Sequence, residues 1–181
     1  MQTLDKKYKE NFSNKLNDLF EEDKWLEAKA ILEEEKEKYP NEYFLVTSLA
    51  KVCYNLKLYK EALSYAEKAM EIEPNDVLVI YDYGCALSAL DRNEEAIKQW
   101  DRIIEMDIKE VAYGDFGEGL KWAKSIINDS RYRKAICSLE IGDKVEAKKL
   151  IETHLTNRQR GVYSDFTKKQ VIQKQKVLTN Y

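Results

Sequence analysis

Proline, glycine and histidine are scarce in this sequence, which has two prolines, six glycines and one histidine among 181 residues. β-Sandwiches and barrels need many tight turns built from Gly and Pro, so the scarcity of both favours long helices instead. No run approaches the roughly 18 consecutive apolar residues that a membrane span needs. The first residues also lack the apolar core of a secretory signal. We therefore predict an all-α protein located in the cytoplasm.

The cysteines and the single histidine give no sign of a chemical site. Cys53, Cys85 and Cys137 are widely spaced and form no CxxC pair, so neither a disulfide framework nor a zinc site is indicated. We expect free thiols in a reducing cytoplasm. His154 lies among apolar residues of a helical segment, which is typical of a partly buried structural histidine and supports no nucleophile–base pairing. We predict no catalytic residue, no metal and no cofactor.

Acidic and basic residues are distributed unevenly along the chain. Residues 1–130 contain 18 Lys and Arg against 28 Asp and Glu, whereas residues 131–181 contain 12 against 5. The net charges of these segments are −10 and +7, within a total of −3. Such segregation indicates that the two parts meet different environments, or each other.

A 34-residue period organises most of the chain. Pro40 and Pro74 lie 34 residues apart, and Ala28, Ala62 and Ala96 fall on the same spacing. Further slots of the period are shared by Phe12, Val46 and Ile80, by Leu16, Ala50 and Gly84, and by Leu32, Ala66 and Trp100. Apolar residues also recur at i, i+3/i+4 and i+7 within each unit, which predicts helices with one buried face. The breaks between these helices are about four residues long, so neighbouring helices are expected to run antiparallel.

These residues resemble the tetratricopeptide repeat family, whose pattern places small and aromatic residues at set offsets. The match covers residues 9–42, 43–76 and 77–110. The third unit matches through Ile80, Tyr83, Gly84, Leu87, Ala96 and Trp100. The resemblance implies helix pairs stacked into an α-solenoid, with the first helix of each pair lining a concave groove.

Beyond residue 110 the period slips. The Gly142-Asp143 corner and Ala147 place a fourth unit at 128–161, after an insert at 111–127. The Gly-rich part of the insert is interpreted as a flexible linker, followed by a helix that either prolongs the fourth unit or stands alone. A tail at 162–181 is expected to form a capping helix with Ser164 at its N-cap. We predict about four helix pairs plus this cap, in a single domain spanning 1–181.

The family's groove offsets select a set of candidate partner-binding residues. They map to Asn17, Phe20, Phe44, Thr47, Lys51, Tyr54, Leu78, Tyr81, Asp82, Cys85 and Tyr132. Tyr81 is interpreted either as an aromatic anchor for a partner or as a packing residue between repeats. The subclass that grips chaperone C-termini uses cations and an asparagine at fixed groove positions. Asn17 fits this pattern, but the positions that should carry cations hold Ser13, Leu78 and Asp82. Chaperone-tail binding is therefore disfavoured.

Three functional hypotheses follow. The first is a non-catalytic adaptor that binds a partner protein or peptide in the groove. The second is an immunity protein, because residues 117–133 resemble a segment of bacterial repeat proteins that neutralise secreted toxins, and an acidic body suits a basic toxin. The third is a homo-oligomer in which the basic tail docks in a neighbour's groove. We expect the tail to form a solvated capping helix, and we expect no nucleic-acid or membrane partner.

Overall fold

A computed structural model describes residues 4–179, and within this range the chain forms α-helices and no strand. None of the helices in the described range combines the length and the apolar character that a membrane crossing requires. The predicted all-α class of tetratricopeptide-type helix pairs is confirmed. The contacts divide the chain into two compact units, 1–75 and 76–181. The single-domain organisation and the repeat boundaries stay predictions.

The first unit contains four helices joined by loops of three or four residues. They are α1 (Lys6–Glu21), α2 (Trp25–Lys38), α3 (Tyr43–Asn55) and α4 (Tyr59–Ile72). Because these loops are so short, adjacent helices must pack antiparallel. The apolar stripes predicted from the sequence meet in one core, formed by Phe12, Leu16, Leu19, Ala28, Leu32, Leu45, Leu49 and Val52.

The second unit contains the remaining helices of the described range. They are α5 (Val77–Ala89), α6 (Asn93–Glu105), α7 (Ile108–Tyr113), α8 (Leu120–Glu140), α9 (Lys144–Thr156) and α10 (Lys168–Thr179). The pairs α5–α6 and α8–α9 pack closely, and α6 also packs on α8. Lys134 of α8 reinforces this arrangement through ion pairs with Asp101 of α6 at 2.7 Å and Glu146 of α9 at 3.4 Å.

The corner inside each helix pair has the same backbone geometry. Asp23, Lys57 and Asp91 have φ values of 55°, 62° and 59°, and Gly142 has a φ of 88°. In each corner the second amide after the first helix's C-cap donates to a carbonyl five residues back: Lys24 to Leu19, Leu58 to Cys53, Arg92 to Leu87 and Asp143 to Ser138. This left-handed corner satisfies carbonyls at the helix end. It recurs every 34 residues and once more at the Gly142-Asp143 corner.

The periodic alanines are buried at the same position of each pair. Ala28, Ala62, Ala96 and Ala147 each occupy the fourth position of a second helix, and each is at most 1% exposed. A larger side chain at this buried position would have to displace its neighbours, so the period reflects packing.

The third pair combines the smallest residue of one slot with the largest of another. Gly84 of α5 faces Trp100 of α6, and a Cβ built on Gly84 would lie 2.7 Å from Cη2 of the indole. Trp100 is fully buried, so the indole has no room to retreat. The absence of a side chain at Gly84 therefore leaves the room that the Trp100 indole occupies.

The insert at 111–127 begins in α7 and ends in α8, with its Gly-rich part between the two helices. The predicted helix prolongs the first helix of the fourth unit, since α8 runs unbroken for 21 residues. Between them the Gly117 amide donates to Gly114 and the Gly119 amide donates to Ala112, both at 2.9 Å. A Cβ on Gly117 would lie 2.4 Å from the Ala112 carbonyl oxygen. Gly117 is therefore required by the close approach of the backbone.

The predicted N-cap of the tail helix was wrong by one turn. Thr167, not Ser164, precedes α10, and its Oγ1 accepts the Gln170 amide at 3.2 Å. Gln170 Oε1 in turn accepts the Thr167 amide at 2.7 Å, which completes a capping box. Ser164 instead donates to Asp129 of α8 at 2.6 Å, because the chain before α10 folds back on α8.

Candidate functional site

Within the first unit, the structure places the predicted groove residues on α1 and α3. Phe20 and Lys51 are brought together, with the Lys51 ammonium 4.7 Å from the centre of the Phe20 ring. Phe20 also stacks on Trp25 at 4.9 Å, so the ring is half-buried. Asn17 lies exposed on α1. These residues offer a partner a cation, an amide and one ring edge.

The other first-unit candidates are engaged within the unit. Phe44 packs edge-on against Phe12 at 6.4 Å, and Thr47 bonds to the Phe44 carbonyl at 3.1 Å. Tyr54 lies against Tyr59 at 5.5 Å. Each side chain is half-buried, so each can contribute area to a surface but none projects from it.

In the second unit, Tyr81 lies at the centre of a buried aromatic cluster. Its side chain is 9% exposed and packs edge-on against Trp100 at 5.3 Å. Its hydroxyl accepts a hydrogen bond of 3.0 Å from Nε of Arg133, whose guanidinium stacks between the Tyr81 and Phe166 rings at 5.4 and 5.1 Å. Burial raises the pKa of the Tyr81 phenol well above its ordinary value. Tyr81 therefore takes the packing role of the two interpretations and positions Arg133.

The remaining predicted residues divide between surface and interior. Leu78 is 39% exposed and Asp82 is half-buried on α5, whereas Cys85 and Tyr132 are buried. Burial raises the pKa of the Cys85 thiol to about 12. All three cysteines are free thiols and buried. Cys85 is thus a packing residue of the interior.

A cavity of about 600 Å³ lies in the second unit, next to Arg133 and Phe166 of the Tyr81 cluster. Its walls come from α5, α8, α10 and the segment before α10, and its lining consists of Ser88, Tyr132, Arg133, Ile136, Phe166, Gln170, Gln173, Lys174 and Val177. The volume falls within the range of about 300–1,000 Å³ that is usual for ligand pockets. Of the candidate residues listed from the sequence Tyr132 lines it, and Ser88 and Ile136 hold further groove offsets of the same first helices. The α10 residues were missed because no sequence signal shows that the tail folds back over α8.

Hydrogen bonds from Asp129 and Arg158 to residues 164–166 hold the tail in this position. The Asp129 carboxylate accepts Ser164 Oγ at 2.6 Å and the Asp165 amide at 2.8 Å. Arg158 Nη1 donates to the Phe166 carbonyl at 2.7 Å. Burial raises the pKa of Asp129, and the two hydrogen bonds oppose that rise. Because the carboxylate is buried, its bonds to residues 164 and 165 are protected from competition with water.

His154 lies next to Arg158 and is fully buried. Its Nδ1 lies 2.8 Å from the Asn128 carbonyl oxygen, and its Nε2 lies 3.4 Å from Arg158 Nη1. The neutral tautomer with a proton on Nδ1 satisfies both contacts. Burial lowers the pKa of His154 below its ordinary value of 6.5. Ser164 donates its hydroxyl proton to Asp129, so this hydrogen bond joins the tail to α8.

Comparisons with known proteins agree with this architecture. Two models of the tetratricopeptide repeat match residues 46–76 and 65–98. A solved structure described as the MamA RS-1 ArsTM double mutant superposes with a TM-score of 0.62 at 14% sequence identity. The aligned region covers 82% of this chain and 74% of the chain in that structure. No curated protein sequence matches.

The fold defined by the helix pairs, their repeated corners and the periodic alanines is an α-helical repeat. Within residues 46–98 the chain matches tetratricopeptide repeat models, and the similar solved structure supports the same fold.

Proposed function

We propose that this chain is a non-catalytic adaptor that binds a partner protein through the first helices of its pairs and through the cavity beside α10. Tetratricopeptide repeats are protein–protein interaction modules. The observation that carries the finer assignment is the cavity of about 600 Å³ at predicted groove helices α5 and α8. It brings apolar walls, carboxamides and cations into one concave site, which is the composition of a recognition pocket.

The first-unit surface supports the same assignment. Asn17 and Lys51 are exposed on first helices, and the half-buried Phe20 lies beneath Lys51. The edge of this ring and the aliphatic stem of Lys51 give a partner apolar area beside a cation.

Site-specific photo-crosslinking tests which helices meet the partner. A benzophenone amino acid is introduced at Asn17 of α1 or at Val177 of α10, which is 56% exposed. Matched controls are Leu26 of α2 and Val145 of α9, which are exposed on second helices. Crosslinks in native lysate from the first two positions, and few from the controls, are expected. Crosslinks from the control positions alone would refute the assignment.

The immunity hypothesis rests on charge. Residues 1–130 carry a net charge of −10, which would steer a basic toxin such as a nuclease and compete for its phosphate-binding cleft. A toxin gene directly upstream and inhibition of its purified product would support this role. A solitary gene would count against it.

The oligomer hypothesis concerns the basic tail. In the structure the tail packs on α8 and α9 of its own chain. Exchange of α10 between two copies would preserve these contacts and join the chains. Sedimentation at low and high ionic strength tests this: a salt-sensitive dimer supports exchange, and a monomer at low ionic strength removes it.

A further inference from the structure

The cavity beside α10 combines hydrogen-bond donors with apolar walls. Two of its nine lining residues, Arg133 and Lys174, are cations, and none is an Asp or Glu, although the chain has 33 acidic residues. Ile136 and Val177 supply aliphatic surface. This composition favours a ligand that has both a carboxylate and an apolar group.

The two cations have different roles. Arg133 is held at the base of the cavity by Tyr81 and Phe166, and the charges of Asp82 and Asp165 act on the same buried region. Lys174 lies exposed at the rim on α10. An incoming carboxylate would therefore meet the Lys174 ammonium first, while Arg133 shapes the floor.

The carboxamides indicate a peptide. Gln170 uses Oε1 to accept the Thr167 amide and hydroxyl at 2.7 and 2.8 Å, so what it can offer a ligand is its NH₂ group. Gln173 lies one turn of helix from Gln170 at the same cavity and carries both a donor and an acceptor. Such groups match the carbonyl and amide of an extended backbone.

The aromatic rings argue against a nucleic acid. Tyr132 is 5% exposed and packs against His154 at 5.3 Å and Phe166 at 4.5 Å. The Arg133 guanidinium lies over the Phe166 ring, 5.1 Å from its centre. Single-stranded nucleic acids bind by stacking bases on open aromatic faces, and these rings are occupied by their neighbours.

We propose that this cavity binds an extended acidic peptide segment of a partner protein, in which an aliphatic or aromatic side chain enters the cavity and an adjacent Asp or Glu pairs with Lys174. The assignment rests on the proposed adaptor function and specifies the chemistry of its partner. It also gives α10 a role beyond capping, since the tail supplies the specificity-determining cation.

Selection from a phage-displayed library of random octapeptides tests the chemistry without knowledge of the partner. Enriched sequences are expected to place Asp or Glu beside Leu, Ile or Phe. The enriched peptides are then labelled and titrated by fluorescence anisotropy against the full chain, with an oligothymidylate of matched charge as the nucleic-acid arm. A set without acidic residues, a failure to enrich any sequence, or tighter binding of the oligothymidylate would each overturn the assignment.

Paired charge reversals on α10 locate the site. K174E at the cavity rim should weaken peptide binding about tenfold or more, and K169E on the same helix but outside the cavity lining should change it by about twofold or less. Q173A, which leaves the charge unchanged, should also weaken binding. Equal binding by all variants, with helicity retained by circular dichroism, would refute the site.

Failure of this assignment is distinguishable from failure of the adaptor function. A partner that crosslinks from Asn17 and still binds K174E normally would preserve the adaptor function and refute the acidic-peptide site. Peptides that bind through Lys174 support the site even where no lysate partner is captured.

Discussion

Replacing Gly84 with alanine tests how tightly the third helix pair is packed. The new Cβ would lie 2.7 Å from Cη2 and 2.9 Å from Cζ2 and Cζ3 of the Trp100 indole. Carbon atoms in contact prefer separations of about 3.5–4.0 Å, so helix α5 or the indole must move. Trp100 is fully buried, and its displacement would disturb Tyr81, which packs against it and holds Arg133 at the cavity floor.

Two opposing terms set the magnitude. Overpacking a buried contact costs about 1–3 kcal/mol. Alanine is favoured over glycine in a helix interior by about 1 kcal/mol. Gly84→Ala should therefore lower the free energy of unfolding by about 0–2 kcal/mol in the natural chain.

A second substitution separates these terms. Trp100→Phe removes the ring atoms that the Cβ would meet, together with a buried indole N–H that has no hydrogen-bond partner within residues 4–179. In this background Gly84→Ala should raise the free energy of unfolding by about 1 kcal/mol through helix propensity alone. The sign of the alanine effect is thus expected to reverse, with a coupling of about 1–3 kcal/mol between the two sites.

Urea unfolding of the four proteins, followed by circular dichroism with m-values compared, measures this coupling. Hydrogen exchange of α5 and α6 shows whether the change is local to the pair. An equal effect of Gly84→Ala in both backgrounds would refute the packing account. A stabilising effect in the natural chain would show that α5 shifts at little cost.

Three further outcomes are expected. Burial lowers the pKa of His154 in the folded chain, so below about pH 6.5 the unfolded chain binds more protons than the folded chain does. The free energy of unfolding should therefore fall as pH drops from about 7.5 to 5.5. Urea unfolding at several pH values measures this slope, and His154→Gln should flatten it. Gly117→Ala forces a Cβ within 2.4 Å of the Ala112 carbonyl oxygen and should destabilise the chain by about 2 kcal/mol, and an unchanged thermal midpoint would contradict the tight turn. Burial raises the pKa of Cys53 to about 11 and that of Cys85 to about 12, so both thiols should resist alkylation in the native chain and react after unfolding, as mass spectrometry of labelled peptides would show.

The fold was predictable because its main determinant repeats along the chain. Ala28, Ala62 and Ala96 recur at 34 residues because each is the small residue at the same helix contact. The common corner at Asp23 and Lys57 was not predictable, since a left-handed backbone is unusual for residues other than glycine. It is imposed by the packing of the helices on either side.

The candidate site was predictable only in part. The first-helix offsets selected Tyr132, which lines the cavity, and Tyr81, which contacts the lining residue Arg133. Helical periodicity makes this possible because it decides which face of the helix a residue occupies. The partial burial of Phe44 and the full engagement of Tyr81 depend on neighbours distant in sequence, which periodicity does not specify.

By itself, the sequence determined the helix pairs, their spacing, the small residues between them and the contrast between an acidic body and a basic tail. These features are local, or repeat at a fixed interval, so each can be inferred from residue type and position. Only the tertiary structure decided that α10 returns over α8, that Asp129 holds it there, and that Lys174 and Arg133 share one cavity. Those contacts join residues tens of positions apart through single hydrogen bonds and stacked rings, and no local pattern encodes such pairings.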